Sequence, residues 1–169
     1  ILQTKDMTNI FVAFDKGKKT IRHQTYSDYK GGRKPTPEEF LMQIPYIKEY
    51  LDVLGIKHLE LDDFEADDIV GSMANLAKGE FDEIMVISGD KDLLQLAKGN
   101  VHVYLTKKGL TDLECYTEEN FKSLMGIESY QMVDYKGLIG DSSDNLPGVA
   151  GIGPKTAAKL LEEYGTLEN

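Results

Sequence analysis

The chain has 169 residues, 41% of them apolar, and carries 19 Lys and Arg against 29 Asp and Glu for a formal charge of −10. That length suits one compact domain, or one with a small appendage, and the apolar fraction is enough to fill a core. The lone cysteine, Cys115, excludes an internal disulfide framework, and no apolar run of about 18 residues or leader pattern appears, so a soluble cytoplasmic protein is expected. The chain begins at Ile1 rather than methionine, and a fragment of a longer protein is expected.

Residues 1–8 read as the tail of a helix or loop, and 9–14 as a strand ending at Asp15. Residues 16–36 are polar, basic and aromatic, without apolar periodicity for a packed helix. They read either as a solvated loop or as a mobile basic clamp whose tyrosines stack on bases and whose cations meet phosphates. Thr36 and Pro37 then open a helix with a buried stripe of Phe40, Leu41, Ile44, Ile47, Leu51 and Leu54; Pro45 is a kink candidate and Gly55 the stop. Next come a strand at 57–62, a helix at 65–78, a strand at 83–88, a short helix at 91–97 and a strand at 101–105. This alternation predicts an α/β fold with a mostly parallel twisted sheet and helices on both faces. After a turn at Lys107-Lys108-Gly109, residues 110–116 read as an edge strand. Thr117 to Asn120 cap a helix that Gly126 stops, and another helix covers 129–140.

Acidic residues recur where apolar runs end. They are Asp15, the cluster Glu65, Asp67 and Asp68, the pair Asp90 and Asp92, and the pair Asp141 and Asp144. Acids in a first helical turn also complement the helix dipole, which is the plain reading of Glu65 to Asp68 taken alone. In open α/β sheets, however, the site lies beyond the carboxyl ends of the strands, and eight carboxylates converging there would need cations to neutralise them. Carboxylates without paired His or Cys select hard divalent ions, Mg²⁺ or Mn²⁺. Two such ions roughly 3.5–4 Å apart can clamp the attacking and leaving oxygens of a phosphodiester. His23, His58 and His102 are scattered and read as structural or surface residues, and Cys115 as a core or edge residue.

Net charge argues against a polyanionic partner, but its distribution reverses that argument. Without those eight carboxylates the formal charge is only −2, and Lys16, Lys18, Lys19, Arg22, Lys30, Arg33 and Lys34 crowd one stretch opposed by Asp28 alone. Beyond Asp144-Asn145, the segment Gly148-Val149-Ala150-Gly151-Ile152-Gly153-Pro154 turns into a helix carrying Lys155, Thr156 and Lys159. Glycines let backbone amides approach a phosphate at a helix N-terminus. A dinucleotide site is conceivable there, but no buried strand precedes the glycines, so a helix-hairpin-helix grip on duplex backbone is preferred.

Assembled in order, Val12 to Asp15, Arg22-His23, Tyr29 to Arg33, Glu65 to Asp68, Gly89 to Leu93, Gly140 to Asn145 and Pro147 to Lys155 resemble the 5′-nuclease, or flap endonuclease, family over nearly the whole chain. The resemblance is to the 5′→3′ exonuclease domains of bacterial DNA polymerase I and their stand-alone relatives. It implies a PIN-like nuclease core over residues 1–128, with 16–36 as the arch or clamp, and a helix–three-turn–helix element over 129–169. It implies that Asp15, Glu65, Asp67, Asp68, Asp90 and Asp92 form the main metal set, with Asp141 and Asp144 holding or tuning a second ion. Lys30 and Arg33 would steer the scissile phosphate, with Arg22, Tyr26 and Lys34 on the single strand. Gly151, Gly153, Lys155, Thr156 and Lys159 would grip the duplex, with potassium on the backbone carbonyls of 148–153. The expected activity is Mg²⁺-dependent 5′→3′ exonuclease and flap endonuclease action on DNA in replication and repair. A monomer near the bacterial nucleoid is expected, working with a fused or separate DNA polymerase.

Family members normally open with a further strand bearing a metal-cluster aspartate, and none precedes residue 9. That leaves the alternative of a non-catalytic DNA-binding module of the same fold. A phosphotransferase built on Phe14-Asp15 would need an aspartate where Gly17 stands.

Overall fold

The computed structural model describes residues 7–17, 19–109 and 112–169. Most of the expected N-terminal tail, Lys18, and the first two residues of the expected 110–116 strand lie outside the described residues. The chain divides into two compact units, 1–69 and 70–169, with the division inside a helix.

In residues 1–69, β1 (Phe11–Ala13) pairs in parallel with β2 (Lys57–Leu59), in the register Phe11 to Lys57 and Ala13 to Leu59. The ladder is shorter than the expected 9–14, because β2 offers only three residues to pair with. Within 16–36 there is a helix after all, α1 (Ile21–Thr25). Five residues cannot hold a helix by propensity. Tertiary ties do it: Ile21 N–H donates to Asp63 O at 3.0 Å, and Thr20 and Tyr29 are buried.

The expected single helix from Pro37 is two, α2 (Glu38–Leu41) and α3 (Ile44–Val53). Pro45 falls in the first turn of α3, where its missing N–H costs nothing, so it starts a helix instead of kinking one. The stripe expected to be buried is largely open: Phe40, Leu41, Ile47 and Leu54 are exposed, and Ile44 and Leu51 half-buried. Periodicity says which face of a helix could be covered, not whether a partner covers it. The stop behaves as expected. Gly55 takes φ +69°, and Ile56 N–H closes onto Leu51 O at 2.9 Å.

Helix α4 (Ala66–Ala77) leads into residues 70–169, where the apolar core lies. There β3 (Ile84–Ser88) runs parallel to β4 (Val101–Lys108), and β5 (Asp112–Tyr116) pairs antiparallel at the edge. Alternation along β4 turns Val101, Val103 and Leu105 inward. The connection between β3 and β4 is a 3₁₀ helix, Lys91–Leu96, which buries Leu93 and Leu94.

Helix α5 (Glu118–Met125) starts at Thr117, whose Oγ1 and N–H exchange hydrogen bonds with Asn120, and ends at Gly126 with φ +75°. It drives fully buried Phe121 into the core. The expected helix at 129–140 is a 3₁₀ turn, Ser129–Gln131, followed by α6 (Met132–Ile139). The break is where the buried Gln131 amide donates to Leu161 O at 2.8 Å and Gly165 O at 2.9 Å. A short hairpin of two-residue strands follows, β6 (Gly140–Asp141) with β7 (Leu146–Pro147), and then α7 (Pro154–Tyr164) with Pro154 in its first turn and Gly153 at the N-cap. Two backbones cross closely here. A Cβ on Gly148 would stand 2.3 Å from Ile139 C, and one on Gly140 would stand 2.3 Å from Gly148 N. Only glycine permits that crossing, which sets the turn carrying Asp141 and Asp144.

Candidate active site

In residues 1–69 the acids gather at the start of α4. Its first N–H groups lack helical partners, and carboxylates supply them. Ala66 N–H donates to Asp15 Oδ1 at 2.7 Å, and Glu65 N–H donates to Asp68 Oδ2 at 2.9 Å. Asp15 thus reaches from the end of β1 to the first turn of α4. Glu65 is only 6% exposed, which is tolerable for a carboxylate only with dense partners. Tyr29 OH donates to its Oε2 at 3.1 Å, Thr20 Oγ1 to its Oε1 at 3.4 Å, and Lys30 Nζ stands 2.9 Å from Oε2. Arg22 forks onto Asp68 with two bonds of 2.7 Å. That hydrogen bond is the main cause holding Asp68 below its ordinary carboxylate value, against the effect of its burial. Asp67 is half-buried in the same turn.

Two cations expected to face nucleic acid, Arg22 and Lys30, are therefore engaged with carboxylates. Lys30 sits at φ +57°, the left-handed region that non-glycine residues seldom take. Tyr26, Arg33 and Lys34 are exposed.

In residues 70–169, Asp90 is exposed and caps the 3₁₀ helix, its Oδ1 accepting Asp92 N–H at 2.9 Å. Asp92, Asp141 and Asp144 each bring one carboxylate oxygen into a group whose members all lie within 4.8 Å of one another, and Asp144 is buried. Among the described residues this is the group of three or more ligand-type side chains drawn that close. Lys136, on the last turn of α6, straddles two of them: its Nζ is 2.7 Å from Asp92 Oδ1 and 2.5 Å from Asp141 Oδ2. Ser143 adds its N–H at 2.8 Å and its hydroxyl at 2.7 Å to Asp141 Oδ1. Burial pushes Asp141 up, but the bonds from Lys136 and Ser143 outweigh it and hold the carboxyl well below its usual range. Burial likewise opposes the charge on Lys136, and Asp141 and Asp92 reverse the balance and raise it.

Lys155, Thr156 and Lys159 are exposed on α7, beside Gly151 at φ +82° and the N-cap Gly153. The loop before them is tied down by Val149 N–H to Leu138 O at 2.8 Å and Ile152 N–H to Val149 O at 3.0 Å. The histidines have local partners: Asp52 for His58, Glu83 for His102 and Thr20 for His23.

Sequence reasoning passed over Lys136, Thr20 and Ser143 as site residues, and it read Tyr29 as a clamp tyrosine facing bases, whereas its hydroxyl donates to Glu65. Lys136 had left a signal, being the only basic residue in the otherwise largely apolar α6 just before Asp141.

A family profile described as 5′-3′ exonuclease, N-terminal resolvase-like domain, matches residues 1–126, and one described as 5′-3′ exonuclease, C-terminal SAM fold, matches residues 127–169. The chain belongs to the 5′-3′ exonuclease family, and its fold is a resolvase-like, PIN-type α/β domain followed by a SAM-like helical element. Among its relatives, DNA polymerase I of Bacillus caldotenax is 52% identical over 169 residues, which are 100% of this chain and 19% of that protein. The 5′-3′ exonuclease of Mycoplasma genitalium is 48% identical over 159 residues, 94% of this chain and 55% of that protein. The chain thus spans about a fifth of the length of its polymerase relatives and about half of the stand-alone one. Among solved structures, the T5 D15 protein co-crystallised with metal ions superposes with a TM-score of 0.83 at 24% identity, covering 98% of this chain and 65% of that one. The bacteriophage T5 D15 flap endonuclease in complex with DNA and metal ions gives a TM-score of 0.81 at 24% identity, covering 98% and 64%. These likenesses establish the fold. No helix among the described residues is long and apolar enough to cross a membrane.

Proposed function

We propose that the chain is the nuclease part of a divalent-metal-dependent 5′→3′ exonuclease and flap endonuclease acting on DNA in replication and repair. The observation that carries this reading is the trio Asp92, Asp141 and Asp144, with oxygens within 4.8 Å of one another and a lysine ammonium already drawn against two of them. An all-oxygen donor set with a demand for positive charge fits Mg²⁺ or Mn²⁺. Asp92, Asp141 and Asp144, with Asp90, would hold one ion, and Asp15, Glu65, Asp67 and Asp68 are the residues proposed for the other. A divalent ion bound by such carboxylates supplies an acidified water and charge neutralisation at a phosphodiester.

The chain's own part is to bind and orient the DNA. Lys30 and Arg33 hold the scissile phosphate, Lys30 exchanging Glu65 for it, while Arg22 keeps Asp68 in place. Tyr26 and Lys34 meet the single strand, and residues 16–36 act as its clamp. Lys155, Thr156 and Lys159, with the backbone at Gly151 and Gly153, grip duplex phosphates at the N-terminus of α7 without reading sequence, and residues 148–153 offer carbonyls to potassium. In this reading residues 1–128 are the nuclease core and 129–169 the duplex-gripping element. The chain works as a monomer in the bacterial cytoplasm, close to the nucleoid. Its relatives named DNA polymerase I and 5′-3′ exonuclease support a role either fused to a polymerase or beside one.

One observation favours a second reading, a DNA-binding module that does not cleave: Arg22, Lys30 and Lys136 already neutralise carboxylates. Incubating the chain with a 5′-labelled flap duplex separates the two. Mg²⁺- or Mn²⁺-dependent release of the flap, lost in Asp92→Asn, is the expected result. Tight binding without cleavage at any metal concentration would leave the module.

A further inference from the structure

Lys136 does not need its charge to fix α6. Met132, Tyr135 and Leu138 anchor that helix by burial, and the lysine reaches past them to the carboxylates with its side chain 27% exposed. Its Nζ lies 2.7 Å from Asp92 Oδ1 and 2.5 Å from Asp141 Oδ2, two members of the trio that also includes Asp144. A divalent ion drawing on that trio competes for oxygens the ammonium already holds. The two positive charges would also stand a few ångströms apart in a partly desolvated site, where repulsion is poorly screened. Without the lysine, the carboxylates would face one another unneutralised, and at least one of them would swing away or protonate.

We propose that Lys136 is the built-in counter-ion of this centre: it holds Asp92 and Asp141 together before a divalent ion arrives and gives up at least one of them when the ion binds. The proposal rests on the reading of the trio as a metal centre given above. Lys136 is then a positioning residue that acts through Asp92 and Asp141. It keeps the site assembled at the cost of affinity, so metal binds weakly enough to exchange.

The test uses the full chain, with Mn²⁺ as the probe. Free Mn²⁺ is counted by electron paramagnetic resonance, and melting is followed with and without the ion. Lys136→Met keeps the stem and removes the charge, Lys136→Arg keeps the charge, and Lys136→Gln replaces the methionine variant if that one does not fold. Removing the charge should lower the melting temperature without metal and tighten Mn²⁺ binding by about tenfold, an ordinary coupling between two ligands of one site. The rise in melting temperature on adding Mn²⁺ should grow accordingly, and Lys136→Arg should stay near the parent. A merely structural lysine would not tighten metal binding when lost. Unchanged or weaker Mn²⁺ affinity in the neutral variant, with the parent's circular dichroism, overturns the proposal. The metal reading itself fails differently: parent and Asp141→Asn would then bind Mn²⁺ alike.

Discussion

Residues 1–69 and 70–169 both gather carboxylates, yet they hold them by different means. In the first stretch Glu65 is surrounded by two hydroxyl donors and two cations, and Asp68 is clasped by a guanidinium fork. In the second, one ammonium is shared between Asp92 and Asp141, with Asp144 buried beside them. The support beneath each differs as well. The continuous apolar core belongs to 70–169, whereas among the described residues of 1–69 the buried apolar side chains are Tyr29 and Ile69. A polar network sets geometry by direction and charge, and an apolar core sets it by volume. The first stretch should therefore respond to salt, and the apolar core of the second to cavities.

The largest expected effect tests the core. Phe121→Ala removes a fully buried ring and should cost about 3–5 kcal/mol in urea unfolding, nearly independent of salt. A loss under about 1 kcal/mol would mean the ring's site collapses freely. Next is Arg22→Met, which leaves Asp68 without its fork. Because Arg22 is partly exposed, about 1 kcal/mol is expected, shrinking as salt is added.

Acid acts on both stretches. Asp68 and Asp141 both titrate lower when folded than when unfolded. Their contribution is therefore present above the unfolded value of about pH 4 and is lost as pH falls through the lower folded values. Arg22→Met should flatten the decline of stability below about pH 4, and an equally steep acid limb in the variant would remove Asp68 from it. The smallest effect concerns DNA. Lys30→Ala should weaken flap-duplex binding severalfold and reduce the magnitude of its salt slope by about 1. Identical slopes would keep Lys30 on Glu65 throughout.

Local signals carried much of this architecture. The cap at Thr117 and Asn120, the stop at Gly126 and the proline opening α7 each depend on a few neighbouring residues, so they were legible in the sequence. The stripe on α2 and α3 was legible as a face but not as exposed, because burial depends on what else folds against it. The break between Ser129–Gln131 and α6 depends on Gln131 reaching carbonyls at 161 and 165, contacts that no local pattern announces. The acids stood out at the ends of apolar runs. Their partners did not, since Arg22 meets Asp68 and Lys136 meets Asp92 across long stretches of chain. A sequence displays the charges that need an answer more readily than the side chains that answer them.

The most direct measurement counts Mn²⁺ ions bound by the parent chain and by the Asp141→Asn/Asp144→Asn double variant at matched fold. Saturable binding in the parent, with at least one ion lost in the variant, is the result expected of a metal centre built on Asp92, Asp141 and Asp144. Equal stoichiometry and affinity in the two proteins would contradict it.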